Sequence, residues 1–194
     1  ILKIIPDQPI CWKILGIIYL TSGRFNKALY ANQRALELEP NVPDIYNNLA
    51  ITFYNLGRYD EAIQCSKKAL KIDMKFVQAY GNLADSLKAI KKYDDAILYL
   101  KKAIKLDPNK VKTHASLADL FQKIGKLDDA LNTYENAIKL NSNYYPAYIN
   151  IAKILNDLGR FSDAIDIYNK VIKIKPDFAI SYYNLANVQK KINN

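Results

Sequence analysis

The chain has 194 residues, of which 28 are Lys or Arg and 19 are Asp or Glu, giving a net charge of +9. Hydrophobic residues make up 50% and charged residues 24%, which excludes wholesale disorder. Two cysteines exclude a disulfide scaffold or a multi-cysteine zinc site, and a single histidine argues against His-based metal and triad chemistry. We expect no membrane-spanning helix, because no run of 18 apolar residues occurs.

The sequence repeats with a period of 34 residues. One marker is an alanine, found at Ala28, Ala62, Ala96, Ala130 and Ala164. A second marker is mostly aromatic, found at Trp12, Tyr46, Tyr80, His114, Tyr148 and Tyr182. A third is mostly proline, found at Pro6, Pro40, Met74, Pro108, Ser142 and Pro176. Three markers that keep the same spacing along the whole chain predict an internal repeat.

Each unit contains two predicted helices in a fixed order, which we name helix A and helix B. In the second unit, apolar residues recur at i, i+3, i+4 and i+7 from Tyr46, the spacing of an amphipathic helix A. Gly57 then supplies the left-handed backbone that commonly ends a helix. Asp60 is predicted to be the N-cap of helix B, with Glu61 in its first turn. The proline near the unit boundary ends helix B.

In chain order, the pattern predicts one array over residues 1–194. Residues 1–8 are predicted to be the tail of a preceding repeat and 179–194 to be helix A of a sixth repeat. The complete repeats are predicted at 9–42, 43–76, 77–110, 111–144 and 145–178. Because solenoids normally end in polar capping elements, the apolar Ile1 and Leu2 lead us to expect a fragment of a longer array.

The first repeat resembles the tetratricopeptide repeat (TPR) family. The residues that carry the resemblance are Trp12, Leu15, Gly16, Tyr19, Ala28, Ala35 and Pro40. Asn32 and Ser66 depart from the family, which usually has an aromatic residue there. The resemblance covers essentially the whole chain, and it implies an all-α fold: a right-handed superhelical solenoid of antiparallel helix pairs, with helix A lining the concave face.

No constellation typical of an enzyme is found in the sequence. The glycines form no phosphate-binding loop, and His114 occupies an aromatic packing position without a nucleophile motif nearby. Cys11 and Cys65 are interpreted as small packed residues. Acidic pairs such as Asp94–Asp95 open helix B, where they compensate the helix dipole. We therefore predict a protein that is not an enzyme and that has no metal and no cofactor.

The informative polar feature is position 6 of helix A, counting from the first residue of each repeat. It is occupied by Ile14, Asn48, Asn82, Ser116, Asn150 and Asn184. Asn in a helix interior is up to about 0.7 kcal/mol worse than Ala, so its return needs a reason. A carboxamide has both donors and an acceptor and pairs with peptide backbone whatever the peptide's side chains. The alternative is an inherited duplication with hydrogen bonds inside the array.

These residues predict a peptide-binding groove. Its candidate residues are Asn48, Asn82, Ser116, Asn150 and Asn184 at position 6, Asp85, Asp119, Lys153 and Asn187 at position 9, and Tyr54 at position 12. The mixed charges at position 9 indicate a mixed ligand rather than a purely acidic or basic one. The main prediction is therefore a protein-interaction scaffold that binds an extended peptide.

Two further functions remain open. Similar asparagine ladders occur in the TPR arms of O-linked GlcNAc transferases and in bacterial TPR–transferase fusions. The resemblance allows a substrate-recruiting arm of a glycosyltransferase or sulfotransferase whose catalytic domain lies outside this chain. A passive spacer, or self-association through exposed array ends, is the second alternative. A chaperone clamp for carboxylates fits less well, since only Lys13 and Asn48 match its five positions.

The positive charge is spread along the chain, and its densest part is Lys101, Lys102 and Lys105 on a predicted helix B. Most tyrosines occupy packing positions, so they do not form a platform for stacking bases. We therefore expect a protein or peptide partner and no nucleic acid. Two thiols far apart in sequence favour a reducing, intracellular and cytoplasmic location.

Overall fold

The computed structural model describes residues 8–192, which are all-α and contain eleven helices and no strand. The helices are α1 (Pro9–Thr21), α2 (Phe25–Leu38), α3 (Pro43–Asn55), α4 (Tyr59–Ile72), α5 (Val77–Ala89), α6 (Tyr93–Leu106), α7 (Val111–Lys123), α8 (Leu127–Leu140), α9 (Tyr145–Asp157), α10 (Phe161–Ile174) and α11 (Ala179–Ile192). The odd-numbered helices are the predicted helices A and the even-numbered ones the helices B. None of them is long and apolar enough to cross a bilayer.

The turn inside each repeat has the predicted left-handed backbone. Gly57 has a φ of +74°, and Gly23, Gly125 and Gly159 have similar values. Next to this turn, the Arg58 amide donates to the Phe53 carbonyl at 2.9 Å, which closes the end of α3. In the third repeat Lys91 occupies the same place with a φ of +62°. The turn thus keeps its geometry even where glycine is absent.

The predicted N-cap of the fourth helix is wrong. α4 begins at Tyr59 with Arg58 at the N-cap position, and no side chain caps it. The Ala62 amide donates to the Arg58 carbonyl at 3.1 Å, so the first helical hydrogen bond already forms before Asp60 and the helix starts earlier than predicted. The Tyr59 ring packs against Tyr54, with centroids 5.6 Å apart. Asp60 and Glu61 lie in the first turn, where their charge still offsets the helix dipole.

The structure divides between Asp107 and Pro108 into two compact units. The first unit contains α1–α6 and the second α7–α11. In each unit helix A packs on its own helix B, and that helix B packs on the next helix A. The successive helices A also touch in the pairs α1–α3, α3–α5 and α7–α9. The marker alanines, which are Ala28, Ala62, Ala96, Ala130 and Ala164, are all fully buried. Close packing at small residues therefore sets the helix spacing.

Each unit has its own apolar core. In the first unit, a buried cluster formed by Trp12, Ala31, Ile45, Leu49 and Phe53 joins the first two repeats. In the second unit the large buried side chains are Leu120, Tyr134, Ile154, Tyr168 and Val171. Neither helix of a pair buries its apolar stripe alone, so every repeat depends on a neighbour.

The predicted ends are described only in part. The predicted tail of a preceding repeat lies outside the described residues except for Gln8, which precedes α1. The predicted helix A at 179–194 is helical over Ala179–Ile192. A single array over 1–194 that continues beyond this chain stays a prediction.

Candidate functional site

Within each unit, one arrangement recurs where helix A, its helix B and the next helix A meet. We call it a junction and define it by positions 9 and 12 of the first helix A, position 24 of helix B, and positions 6 and 9 of the second helix A. Positions three residues apart lie on the same face of a helix, so these side chains converge. The first unit holds the α1/α2/α3 and α3/α4/α5 junctions, and the second holds the α7/α8/α9 and α9/α10/α11 junctions.

The α1/α2/α3 junction is an apolar cavity of about 520 Å³. It is lined by Ile17, Leu20, Thr21, Gly23, Phe25, Asn48, Ile51 and Asn55. Asn48 is half-buried, and it is the predicted ladder residue at this place. Ile17 and Ile51 occupy position 9 on the two helices A, so the surroundings of this amide are mostly hydrocarbon.

At the α3/α4/α5 junction the ladder amide already has a partner. Asn82 Nδ2 donates to Asn47 Oδ1 at 2.7 Å, and Asn47 is buried. Tyr54 and Asp85 border a small cavity of about 50 Å³ beside Asn82. Asp85 also accepts a hydrogen bond from Lys88 Nζ at 3.1 Å. This junction is nearly closed, and one donor of Asn82 is used inside the protein.

The α7/α8/α9 junction is closed by a network around a carboxylate. Tyr134 is fully buried, and its hydroxyl donates to Asp119 Oδ1. Asn150 Nδ2 donates to the same carboxylate oxygen and to Tyr134 Oη, both at 3.0 Å. Gln122 Oε1 lies 3.2 Å from the hydroxyl. Burial, followed by the hydrogen bond to Asp119, raises the pKa of Tyr134 far above its ordinary value of 10.0.

The α9/α10/α11 junction is open. It forms a cavity of about 480 Å³ lined by Lys153, Asn156, Tyr168, Asn184, Asn187, Val188, Lys190 and Lys191. Lys191 Nζ donates to Asn156 Oδ1 at 3.0 Å. Burial, and then the charge of Asp157, raise the pKa of Tyr168, whereas the nearby Asn184 side chain lowers it. The Asn184 amide nitrogen is buried, and beyond its interaction with the Tyr168 hydroxyl no acceptor among residues 8–192 reaches it.

The structure therefore separates the predicted site residues by what surrounds them. In the first unit, Asn48 lines an open cavity. In the second unit, an open cavity is lined by Lys153, Asn184 and Asn187. Asn82, Asn150 and Asp119 are held by hydrogen bonds inside their units. Tyr54 is 37% exposed beside Asp85. Ser116 lies half-buried on α7 and lines none of these cavities.

Sequence reasoning missed the residues that complete the junctions. They are Asn47, Gln122, Tyr134, Asn156, Tyr168, Lys190 and Lys191. A signal existed for most of them, because Tyr134 and Tyr168 stand 34 residues apart at position 24, as do Gln122 and Asn156 at position 12. Comparing position 12 of helix A and position 24 of helix B between repeats would have identified these four residues.

Two other side chains serve the fold. His114 Nε2 lies 2.8 Å from the Pro108 carbonyl oxygen, just as Tyr80 Oη donates to the Met74 carbonyl at 3.1 Å. Within the described part of the chain, no group of three or more His, Cys, Asp or Glu side chains is placed to hold a metal ion.

Comparison with known proteins places the chain in a family. Models described as tetratricopeptide repeat or TPR repeat match residues 41–109, 99–132, and 16–57 together with 152–193. No curated protein matches the sequence significantly. MamA is similar in structure, with a TM-score of 0.75 and 25% identity over 85% of this chain and 96% of MamA.

Two further solved structures share the fold. PilF of Pseudomonas aeruginosa has a TM-score of 0.81 and 23% identity over 95% of this chain and 86% of its own. YrrB, described as a TPR protein with an unusual peptide-binding site, has a TM-score of 0.70 and 20% identity over 94% of both chains. The helix pairs, the 34-residue period and the matching models agree, and the chain belongs to the tetratricopeptide repeat family.

Proposed function

We propose that this chain is a non-catalytic scaffold that binds an extended peptide on the helix-A faces of its repeats. The TPR fold and structural neighbours such as MamA and YrrB support a protein-interaction module. The peptide-binding site named for YrrB supports a peptide as the ligand. The observation that carries the proposal is that each unit has an open cavity at a junction, and that an asparagine at position 6 lines both of them.

The four ladder asparagines divide into two roles. Asn48 and Asn184 line the cavities and are the proposed contacts to a peptide backbone. The side-chain amides of Asn82 and Asn150 donate hydrogen bonds to residues of the preceding helix A, so they hold neighbouring helices A together. Only their remaining donor and acceptor groups are free to bind a peptide. Peptide side chains would contact the residues that border the cavities, namely Tyr54, Asp85, Lys153 and Asn187. Asp119 instead belongs to the hydrogen-bond network with Tyr134. Ser116 remains a predicted contact that lines none of the three cavities.

The proposal extends to partner and location. A protein or peptide is the proposed partner rather than a nucleic acid. Each cavity is lined mainly by amides, lysines or aliphatic side chains with one aromatic residue, Phe25 or Tyr168, and presents no stacked aromatic pair. The two half-buried free thiols, Cys11 and Cys65, support an intracellular, cytoplasmic location. Self-association is a separate expectation, supported by the half-exposed Ile10, Ile14 and Ile18 on α1.

The test selects phage-displayed dodecapeptides on the immobilised chain and measures the affinity of the selected peptides. The variant Asn48→Ala/Asn184→Ala removes one cavity amide from each unit. Asn132→Ala/Asn169→Ala is the matched control, because these asparagines are exposed on α8 and α10, away from every junction. Circular dichroism and thermal melts first establish that both variants fold.

Each lost amide contact is worth about 1 kcal/mol, so we expect the cavity variant to bind selected peptides about tenfold or more weakly than the wild type. The control variant should bind as the wild type does. Equal affinities in the two variants, or failure to select any peptide, would contradict the proposal.

A further inference from the structure

Both junctions of the second unit contain a tyrosine hydroxyl and an asparagine amide as hydrogen-bond donors, but only the α7/α8/α9 junction contains a carboxylate that accepts from them. In the α7/α8/α9 junction, Tyr134 and Asn150 both donate to Asp119 Oδ1. Moving 34 residues along the chain replaces Tyr134 with Tyr168 and Asn150 with Asn184, so both donors return. The same step replaces Asp119 with Lys153, so the acceptor is lost.

Where the acceptor is lost, the structure has an open cavity. The α9/α10/α11 junction is a cavity of about 480 Å³, whereas hydrogen bonds fill its counterpart. Asn184 Nδ2 is buried there, and beyond its interaction with the Tyr168 hydroxyl no acceptor among residues 8–192 reaches it, whereas Asn150 donates to a carboxylate. Tyr168, which lines the same cavity, is only 2% exposed. A buried donor without an acceptor is costly, so an incoming acceptor would be stabilised at this point.

The charge of the cavity selects the acceptor. Lys153 from α9 and Lys190 and Lys191 from α11 line it, and no acidic side chain does. Lys191 is held by Asn156, which keeps its ammonium at the rim of the cavity. Asp157 of α9 influences Tyr168 but is not part of the lining. Three lysines around the cavity attract an anion, and the neighbouring junction shows that the amide and phenol donors accommodate a carboxylate.

We propose that the α9/α10/α11 cavity binds a carboxylate of an acidic peptide, which takes the place that Asp119 occupies in the preceding junction. Asn184 and Tyr168 donate to the carboxylate, and Lys153, Lys190 and Lys191 neutralise it. The inference rests on the proposed function for the peptide itself, and adds an Asp or Glu side chain as the group recognised in the second unit.

The experiment uses the ¹⁵N-labelled full chain in 150 mM salt, which screens diffuse attraction to its positive charge. The probes are acetyl-AEAEAEA-amide, its glutamine counterpart acetyl-AQAQAQA-amide, and free glutarate. The side-chain amide signals of Asn184 and Asn187 report on the cavity. We expect the glutamate peptide to shift them and to bind at least tenfold more tightly than the other two probes.

The variant Lys153→Asp restores an internal carboxylate at the position of Asp119. We expect it to abolish binding of the glutamate peptide and to raise the melting temperature, since the buried donors gain an acceptor. Lys170→Asp makes the same charge change at an exposed position of α10 and should leave binding within about twofold and the melting temperature unchanged or lower.

Equal loss of binding in both Asp variants would mean general charge attraction and would overturn the inference. Equal affinity for the glutamate and glutamine peptides would also overturn it, as would saturation by glutarate at the same affinity as the peptide. The proposed function is tested separately, by the loss of affinity for phage-selected peptides in Asn48→Ala/Asn184→Ala, so it can hold even where the carboxylate inference fails.

Discussion

A Cβ atom on Gly16 would lie 2.2 Å from Oδ1 of Asn32, so the first helix pair packs a side-chain amide directly onto a bare glycine backbone. Asn32 is fully buried, and its Nδ2 donates to Thr52 Oγ1 at 3.4 Å. Its Oδ1 has no hydrogen-bond partner among residues 8–192. The residue at position 8 is alanine in the other repeats, namely Ala50, Ala84, Ala118, Ala152 and Ala186. The unusual asparagine at Asn32 is thus paired with a glycine, Gly16, where the other repeats have alanine.

Gly16→Ala should lower the free energy of unfolding. Asn32 is fully buried and its Cγ would also lie only 2.8 Å from the new Cβ, so the side chain must shift within the packed interior. Overpacking of this kind costs about 1–3 kcal/mol, against a helix-propensity gain of about 1 kcal/mol. Gly81→Ala is the control, because a Cβ there meets nothing within 4 Å, and it should stabilise by about 1 kcal/mol. Urea unfolding measures both. Changes of the same sign in the two variants would contradict this account.

Lys91→Gly should stabilise the first unit. Lys91 has a φ of +62°, in the left-handed region that glycine enters freely and other residues enter at a cost of about 1 kcal/mol or more. After the extra entropy of glycine in the unfolded chain, we expect a net gain of about 0.5–1 kcal/mol. Lys92→Gly removes an equal charge at a φ of −83° and should bring no gain. Thermal melts that rank the two variants equally would rule out relief of backbone strain.

The helices were predictable because their signals are local and repeated. Each helix boundary is marked in five repeats, so the pattern is still recognised where Lys91 replaces the glycine or Met74 replaces the proline. The N-cap at Asp60 was mispredicted because residue type alone cannot tell a cap from a first-turn acid. The helix starts earlier because the Ala62 amide donates to the Arg58 carbonyl, and the same start is found in the other four repeats.

Sequence alone identified the recurring asparagines at position 6 of helix A, but not the residues that surround each of them. The return of asparagine at position 6 identified Asn150 and Asn184, but their different surroundings depend on the residue at position 9 of the preceding repeat. Asp119 supplies an acceptor to Asn150, and Lys153 supplies none to Asn184. Such pairs stand 31 residues apart, so the helical period within one helix does not show them.

Tyr134→Phe should destabilise the second unit by about 1–3 kcal/mol. The change leaves Asp119 without the buried hydroxyl that donates to it, and Asn150 loses one of its two acceptors. Tyr168→Phe is the matched control at the same repeat position, where no carboxylate lines the cavity beside the hydroxyl, and it should cost less than about 1 kcal/mol. Denaturant unfolding compares them, and equal losses would show that the network adds nothing.

Stability should fall at alkaline pH through Tyr134. Its pKa is raised in the fold above the ordinary 10.0, so above pH 10 the unfolded chain binds fewer protons than the native one. The contribution of this residue is complete below pH 10 and is lost as the pH rises toward the folded pKa. The free energy of unfolding of the wild type should therefore fall more steeply between pH 10 and 11 than that of Tyr134→Phe, by up to about 1.4 kcal/mol. Parallel profiles would contradict the assignment.

Cys65 should resist alkylation until the chain unfolds. Burial, opposed by Lys68 and reinforced by Glu61, raises the pKa of its thiol from 9.0 to about 11. The thiolate is the reactive form, so at pH 8 the reactive fraction is about a hundredth of that of an ordinary thiol. In a Cys11→Ser background, iodoacetamide labelling followed by mass spectrometry should be about 100-fold slower in the native chain than in guanidinium chloride. Comparable rates in the two conditions would mean that Cys65 is not held in the apolar cluster beside Leu49 and Phe53.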